Sequence, residues 1–248
     1  MSNVFHITHK VLAYECDFSG RASLPMLIAM TMIASREQER ILGIPNVHET
    51  KGLAWVIIQN QIDIIRFPKY EEVITIETEP LSYNKFFTYR RYTIFDENEE
   101  KIAETIATFS MIDLSKRKMV PVDLEVLNCY GIGDSKEIRR STKLREIQEP
   151  QMEKDYSVRV LDIDYNGHVN NTRYFDWVLD TLGMDFLQKH RLMRLTVKYE
   201  KEVRPGSQVT SLAEVSSEDA TGLVETSHTI KDAEQRFCQM NAKWEKLS

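Results

Sequence analysis

Residues 158–183 read VRVLDIDYNGHVNNTRYFDWVLDTLG: a short extended approach, a turn at Asn166-Gly167, and a helix stopped by Gly183. Residues 14–43, YECDFSGRASLPMLIAMTMIASREQERILG, repeat that order around Gly20 and stop at Gly43. Glycine just past a helix is the usual left-handed stop signal. Self-similarity over so long a period is read before any single element, because it sets the architecture.

The repeat continues downstream. Residues 53–78, LAWVIIQNQIDIIRFPKYEEVITIET, match residues 192–215, LMRLTVKYEKEVRPGSQVTSLAEV, both rich in β-branched and aromatic side chains. Pro68 and Pro205 occupy equivalent places, each before a turn into the next strand. Thr93-Ile94-Phe95-Asp96 matches Thr229-Ile230-Lys231-Asp232, the aspartate opening a hairpin turn, and each half ends on a long strand. Each half is therefore expected to be a helix followed by an antiparallel meander. Met26, Leu27, Ile28, Met30, Met32 and Ile33 ring the first helix, which predicts that it is covered on most faces. A curved antiparallel sheet wrapped around a central helix meets that demand, and joining two such sheets edge to edge removes open strand edges. The expectation is an α+β chain of two modules, residues 1–114 and 151–248, linked by a connection over 115–150 that is long enough to carry some order.

With 248 residues, 42% apolar and 28% charged, the chain has the balance of a soluble globular protein. A formal charge of −6 gives no case for nucleic acid as a partner. Residues 24–34, the most apolar run, are too short for membrane insertion, and the opening MSNVFHITHK lacks the apolar core of a signal peptide. Cys16, Cys129 and Cys238 lie far apart without a CxxC pair, which argues against disulfides and a cysteine zinc site and suits a cytoplasmic protein. His6 and His9 have no acidic partner in a helical frame, so no metal site is expected. Within the acidic chain the connection is locally basic through Lys116, Arg117, Lys118, Arg139, Arg140, Lys143 and Arg145. That is either a solvated stretch or a docking surface for an acidic partner.

The segment around Asp164 carries the chemistry. It enters a helix, where backbone N–H groups favour developing negative charge. An ordinary turn and cap would account for Asn166-Gly167 and for Asn170 or Asn171. Neither accounts for Asp164, Asn166 and His168 at alternate positions, which an extended backbone would point to one side. A histidine beside a helix start suits a carbonyl that becomes an oxyanion. The first half has Asp17, Ser19 and Arg21 at these positions, so one active site in the second half is expected, with the first half helping to hold the substrate.

DIDYNGHVNNTRYFDWVL resembles the signature of the acyl-acyl-carrier-protein thioesterases, the plant enzymes and their bacterial relatives. The resemblance covers essentially the whole chain, including Trp55 after the first helix. It implies two tandem hotdog modules and hydrolysis of fatty-acyl phosphopantetheine on acyl carrier protein, without metal or organic cofactor. By the same resemblance Asp164, Asn166 and His168 take catalytic positions. So does Glu202, in Tyr199-Glu200-Lys201-Glu202-Val203. Where the family pattern has a cysteine this chain has Val203, which argues against a cysteine nucleophile and leaves attack by water. Glu202 then serves as general base, Asn166 and the helix start at Val169, Asn170 and Asn171 hold the thioester oxygen, and His168 orients water or protonates the leaving thiolate. Exchanging the roles of Asp164, Glu202 and His168 fits equally well. Met26 and Met30 can line an acyl slot, and Arg117, Lys118, Arg139 and Arg140 can dock the carrier. An acyl-CoA thioesterase, a hotdog dehydratase and a non-catalytic acyl-binding protein are the rivals. Monomer and homodimer both remain open.

Overall fold

Strand β3 (Val73–Tyr83) shows how sequence alternation builds the sheet: Ile74, Ile76, Thr78, Pro80 and Ser82 are buried while the residues between them are not. A period of two puts one face on a core and the other toward water. The computed structural model describes residues 3–132, 141–164, 167–219 and 221–247, and the chain divides into two units, Met1–Ser141 and Thr142–Ser248.

In the first unit β1 (Phe5–Lys10), β2 (Leu53–Ile64), β3, β4 (Phe87–Phe95) and β5 (Lys101–Asp113) pair antiparallel in the order β1-β3-β4-β5-β2. Helix α1 (Leu24–Ile41) packs on β3. Ser23 Oγ caps it by accepting from Met26 N, and Pro25 sits in its first turn, where a missing N–H costs nothing. Leu24, Leu27, Ile28, Thr31, Ala34, Ser35 and Gln38 are buried at helical spacing, and buried Pro25 and Met30 widen that face. The cover expected on most faces of α1 leaves its outer side partly open. Ile33 is 47% exposed and Met26 and Met32 are half-buried, because α1 lies on one face of the sheet and keeps an outer side in solvent.

The second unit repeats the layout with β7 (Met152–Ser157), α4 (Arg173–Leu182), α5 (Met184–Lys189), β8 (His190–Tyr199), β9 (Gln208–Val215), β10 (Leu223–Lys231) and β11 (Arg236–Lys246). Its strands run β8-β11-β10-β9-β7, the same order as their counterparts in the first unit. Tyr174, Phe175, Trp177, Val178 and Leu182 are the buried face of α4, so Trp177 is a core residue. The two aspartates make the turns expected of them. Asp96 Oδ1 accepts from the N–H groups of Asn98 and Glu100, and Asp232 Oδ1 from those of Glu234 and Gln235. Such Asx geometry reverses the chain without regular backbone pairing.

Residues 115–132 form two further elements, β6 (Lys118–Val120) on the edge of β5 and α3 (Leu124–Cys129). Asp123 caps α3 and takes the Lys51 ammonium at 2.6 Å. Val126 and Tyr130 close a small core with Met111 and with Val47 of α2 (Val47–Lys51). Arg145 instead pairs with Glu214 at 3.3 Å, in the second unit. No helix among the described residues is long and apolar enough to cross a membrane.

Candidate active site

The polar turn of the second unit is clamped at its base by a buried carboxylate. Asp162 closes a 3-10 turn, Val160–Asp162, and is fully buried. Its Oδ2 accepts from Arg159 N at 2.9 Å, its Oδ1 accepts from Arg159 Nη2 at 2.7 Å, and Arg173 Nε lies 3.6 Å away. Burial pushes this carboxyl up, but the bonds from Arg159 and the charges of Arg159 and Arg173 outweigh it and hold it below the usual range. The Asp162 carbonyl also accepts from Asn170 N at 2.8 Å, which fixes both ends of the intervening loop.

Between these ends the chain doubles back. Ile163 bridges Val169, Asp164 N donates to the His168 carbonyl at 2.8 Å, and Gly167 N donates to the Asp164 carbonyl at 3.0 Å. Gly167 has φ of +80°, a conformation that side chains disfavour. The segment is thus a tight hairpin and not the extended approach expected from alternate positions. Asp164 and His168 face each other across it, and His168 N reaches Asp164 Oδ1 at 3.4 Å. Asn166 lies outside the described residues.

Glu202 was expected on a strand, but β8 stops at Tyr199 and Glu202 sits in the connection to β9. Two tyrosines place that connection. The buried Tyr174 hydroxyl accepts from Val203 N at 3.4 Å, and Tyr199 Oη donates to the Asn171 carbonyl at 3.4 Å. The two rings meet edge to face at 5.4 Å, and burial pushes both phenols up, so they stay neutral. The result is that His168 Nε2 and Glu202 Oε2 lie 3.7 Å apart, each side chain about one-third exposed (37% and 32%). That separation lets the carboxylate orient the imidazole, or lets both contact one small reactant.

The other expected residues take these positions. Val169 is buried, the Asn170 side-chain oxygen accepts from Thr172 N and Oγ1, and α4 proper begins at Arg173, later than the expected helix start. Met30 is core and Met26 half-buried, whereas the apolar pocket of the first unit is lined by Met32. Arg117 and Lys118 are exposed at the start of β6, and Arg139 and Arg140 lie outside the described residues. Val203 is buried, and burial pushes the thiol of Cys238 well up, so neither position offers a thiolate. His9 does have an acidic partner, Glu15 at 2.9 Å, which sequence spacing concealed because the two meet through a turn and not along a helix. Tyr174, Asp162 and Arg173 were not foreseen; the charged Asp162 and Arg173 give no sequence signal of burial, and only the aromatic Tyr174 inside a polar motif hints at packing.

Two helix-on-sheet units of one topology in a single chain, with a polar hairpin before the helix, define a double hotdog protein. The acyl-ACP thioesterase N-terminal domain model matches residues 2–130 and the C-terminal domain model residues 145–246. The chain belongs to the acyl-ACP thioesterase family. It is 28% identical over 183 residues to an oleoyl-acyl carrier protein thioesterase of Coriandrum sativum, covering 69% of this chain and 50% of that protein. It spans about half the length of the plant relatives it matches. A provisionally named oleoyl thioesterase from Lactobacillus plantarum superposes with a TM-score of 0.96 at 34% identity, covering 100% of this chain and 98% of that one. The 12:0-ACP thioesterase from Umbellularia californica superposes with a TM-score of 0.89 at 18% identity, covering 99% and 95%, and shares the fold.

Proposed function

We propose that the protein hydrolyses fatty-acyl thioesters of acyl carrier protein, releasing free fatty acid and the carrier thiol, at the Asp164–His168–Glu202 site. The observation that carries this reading is the 3.7 Å approach of His168 to Glu202, two groups each about one-third exposed, brought together by the hairpin and the Tyr174-anchored connection. Glu202 takes a proton from water as its oxygen attacks the thioester carbon. The tetrahedral oxyanion then collapses, the C–S bond breaks, and His168 hands a proton to the departing sulfur. Asp164 steadies the hairpin from the far side of His168, and Asn166 is assigned to the oxyanion on the family pattern. With Val203 where a nucleophile would stand, no acyl-enzyme is needed.

The carrier-protein preference is supported by family membership and by the exposed Arg117 and Lys118 at the start of β6, which we assign to docking an acidic carrier together with Arg139 and Arg140. Three separated, unpaired thiols fit a reducing compartment such as the cytosol. The test is thiol release from matched acyl-carrier-protein and acyl-CoA thioesters, wild type beside His168→Ala. Release from carrier substrates that collapses in the variant supports the reading. Equal use of both carriers overturns the preference, and absence of release overturns hydrolysis.

A further inference from the structure

Three neighbouring turns of the first unit carry apolar side chains that its core does not use. The 3-10 turn Ala13–Glu15 follows β1, the hairpin of residues 17–21 comes next, and a turn over residues 69–72 leads into β3. Glu71 N donates to the Val11 carbonyl at 2.9 Å and Tyr70 N to the Gly20 carbonyl at 3.0 Å, so the third turn lies against both of the others. Leu12, Tyr14, Phe18 and Tyr70 project from them at 38%, 73%, 52% and 52% exposure. Apolar side chains scattered singly over a surface need no explanation. Four on adjoining turns, three of them aromatic, mark a contact surface.

The backbone and the charges around these side chains say what covers them. Each turn satisfies a backbone donor from its own carboxylate: Leu12 N donates to Glu15 Oε2 at 2.7 Å, Ser19 N to Asp17 Oδ1 at 2.8 Å and Lys69 N to Glu72 Oε2 at 2.8 Å. An N–H without a partner is costly at the edge of a hydrocarbon layer, and tips closed in this way can enter it. Tyrosine suits that boundary, with an apolar ring and a polar tip. Arg21 and Lys69 have no carboxylate within 4.0 Å among the described residues, while Glu71 is tied to Lys10 at 3.4 Å and Glu72 to Arg66 at 2.8 Å. Asp17, the one carboxylate of these turns left without a cation among the described residues, is engaged by Ser19. A chain of formal charge −6 thus keeps two uncancelled cations beside its exposed aromatics, where anionic headgroups would meet them. We propose that Leu12, Tyr14, Phe18 and Tyr70 dock the first unit on an anionic lipid surface, with Arg21 and Lys69 facing the headgroups. The contact is peripheral and lies in the interface, as the short turns dictate.

Sedimentation with lipid vesicles, in the absence of substrate, tests the assignment. Wild type is expected to pellet with vesicles of phosphatidylcholine and phosphatidylglycerol in equal parts, and to bind phosphatidylcholine alone about tenfold less tightly, the scale of one or two cations at an anionic surface. The triple variant Tyr14→Ser, Phe18→Ser, Tyr70→Ser should lose about tenfold or more on both kinds of vesicle. Lys69→Glu should weaken binding to the mixed vesicles alone. The double variant Val160→Ser, Leu161→Ser, in the exposed turn before the second hairpin, should bind as wild type does. In Phe18→Trp the emission should shift to the blue when mixed vesicles are added, which frees the test from the folding of the triple variant. Wild type that stays in solution overturns the proposal, as does pelleting that survives the triple variant or an unshifted emission in Phe18→Trp. Loss of binding in the Val160, Leu161 variant in place of the triple variant also overturns it. A dimer that dissociates in the triple variant, with no vesicle binding, overturns it in favour of a second copy. Thiol release plays no part in the readout, so the proposal stands or falls apart from the hydrolase reading.

Discussion

The two hairpins of this chain share a backbone and differ in what their side chains do. Asp17 N donates to the Arg21 carbonyl, Gly20 N to the Asp17 carbonyl and Ser23 N to the Glu15 carbonyl; Asp164, His168, Gly167, Asn170 and Asp162 repeat all three bonds. In the first unit the polar atoms are spent internally. Asp17 Oδ1 holds Ser19, and Arg21 Nη1 donates to the Phe67 carbonyl at 2.9 Å. In the second unit His168 is left facing Glu202. The frame alone therefore does not make a site; what matters is whether the residue at the end of the hairpin is tied to backbone or offered to a reactant.

The largest effects should fall on that contrast. His168→Ala and Glu202→Gln should each lower kcat by about 10²–10⁴-fold, the range of a positioned acid or base, while Arg21→Ala should change kcat by about threefold at most, within the range of a surface change. Steady-state kinetics on one acyl-carrier substrate decides this, and a collapse in Arg21→Ala would erase the proposed division of labour. Phe175→Ala, at a fully buried position of α4, should destabilise the protein by about 3–5 kcal/mol in chemical denaturation.

A smaller effect separates positioning from chemistry. Tyr174→Phe removes the acceptor for Val203 N and should lower kcat by about tenfold with an unchanged KM, since a buried N–H left unpaired costs about 1–3 kcal/mol and loosens the Glu202 connection. An unaltered kcat would show that the connection holds itself. His228 gives a pH test within the second unit. Burial pushes its imidazole down to about 3, against about 6.5 when unfolded. Between those values the unfolded chain binds the extra proton, so stability falls as pH drops from 6.5 toward 3, by at most about 1.4 kcal/mol per pH unit. Unfolding midpoints across that window should show a shallower slope in His228→Phe. The smallest effect is expected from Lys118→Glu, a severalfold rise in KM for carrier substrates, steepest at low salt, with CoA substrates unaffected.

Much of this architecture was legible from repeated residues. The glycine stops, the matched prolines and the Asp96 and Asp232 turns are local signals, and local signals survive whatever the tertiary structure does. The errors came where packing decides. Met26, Met32 and Ile33 look alike as apolar helix residues, but only the sheet's position determines which of them meets solvent. Alternation at Asp164, Asn166 and His168 suggested an extended run, and the positive φ of Gly167 reverses the chain instead. The approach of His168 to Glu202 came from family resemblance, since nothing in 33 intervening residues fixes it locally.

The clamp that holds each hairpin at its base has a practical meaning for anyone who wishes to redesign this chain. Because Glu15 and Asp162 grip the same backbone atoms, the first hairpin is a ready-made mount whose fittings can be exchanged. Its loop already presents an aspartate at the matching place, and Gly20 supplies the left-handed bend at φ of +71°. Grafting Ser19→Asn and Arg21→His would copy the second hairpin's inventory onto it, lacking only a carboxylate opposite. A duplicated scaffold of this kind keeps a spare socket in which new chemistry can be tried while the other hairpin is left as it is.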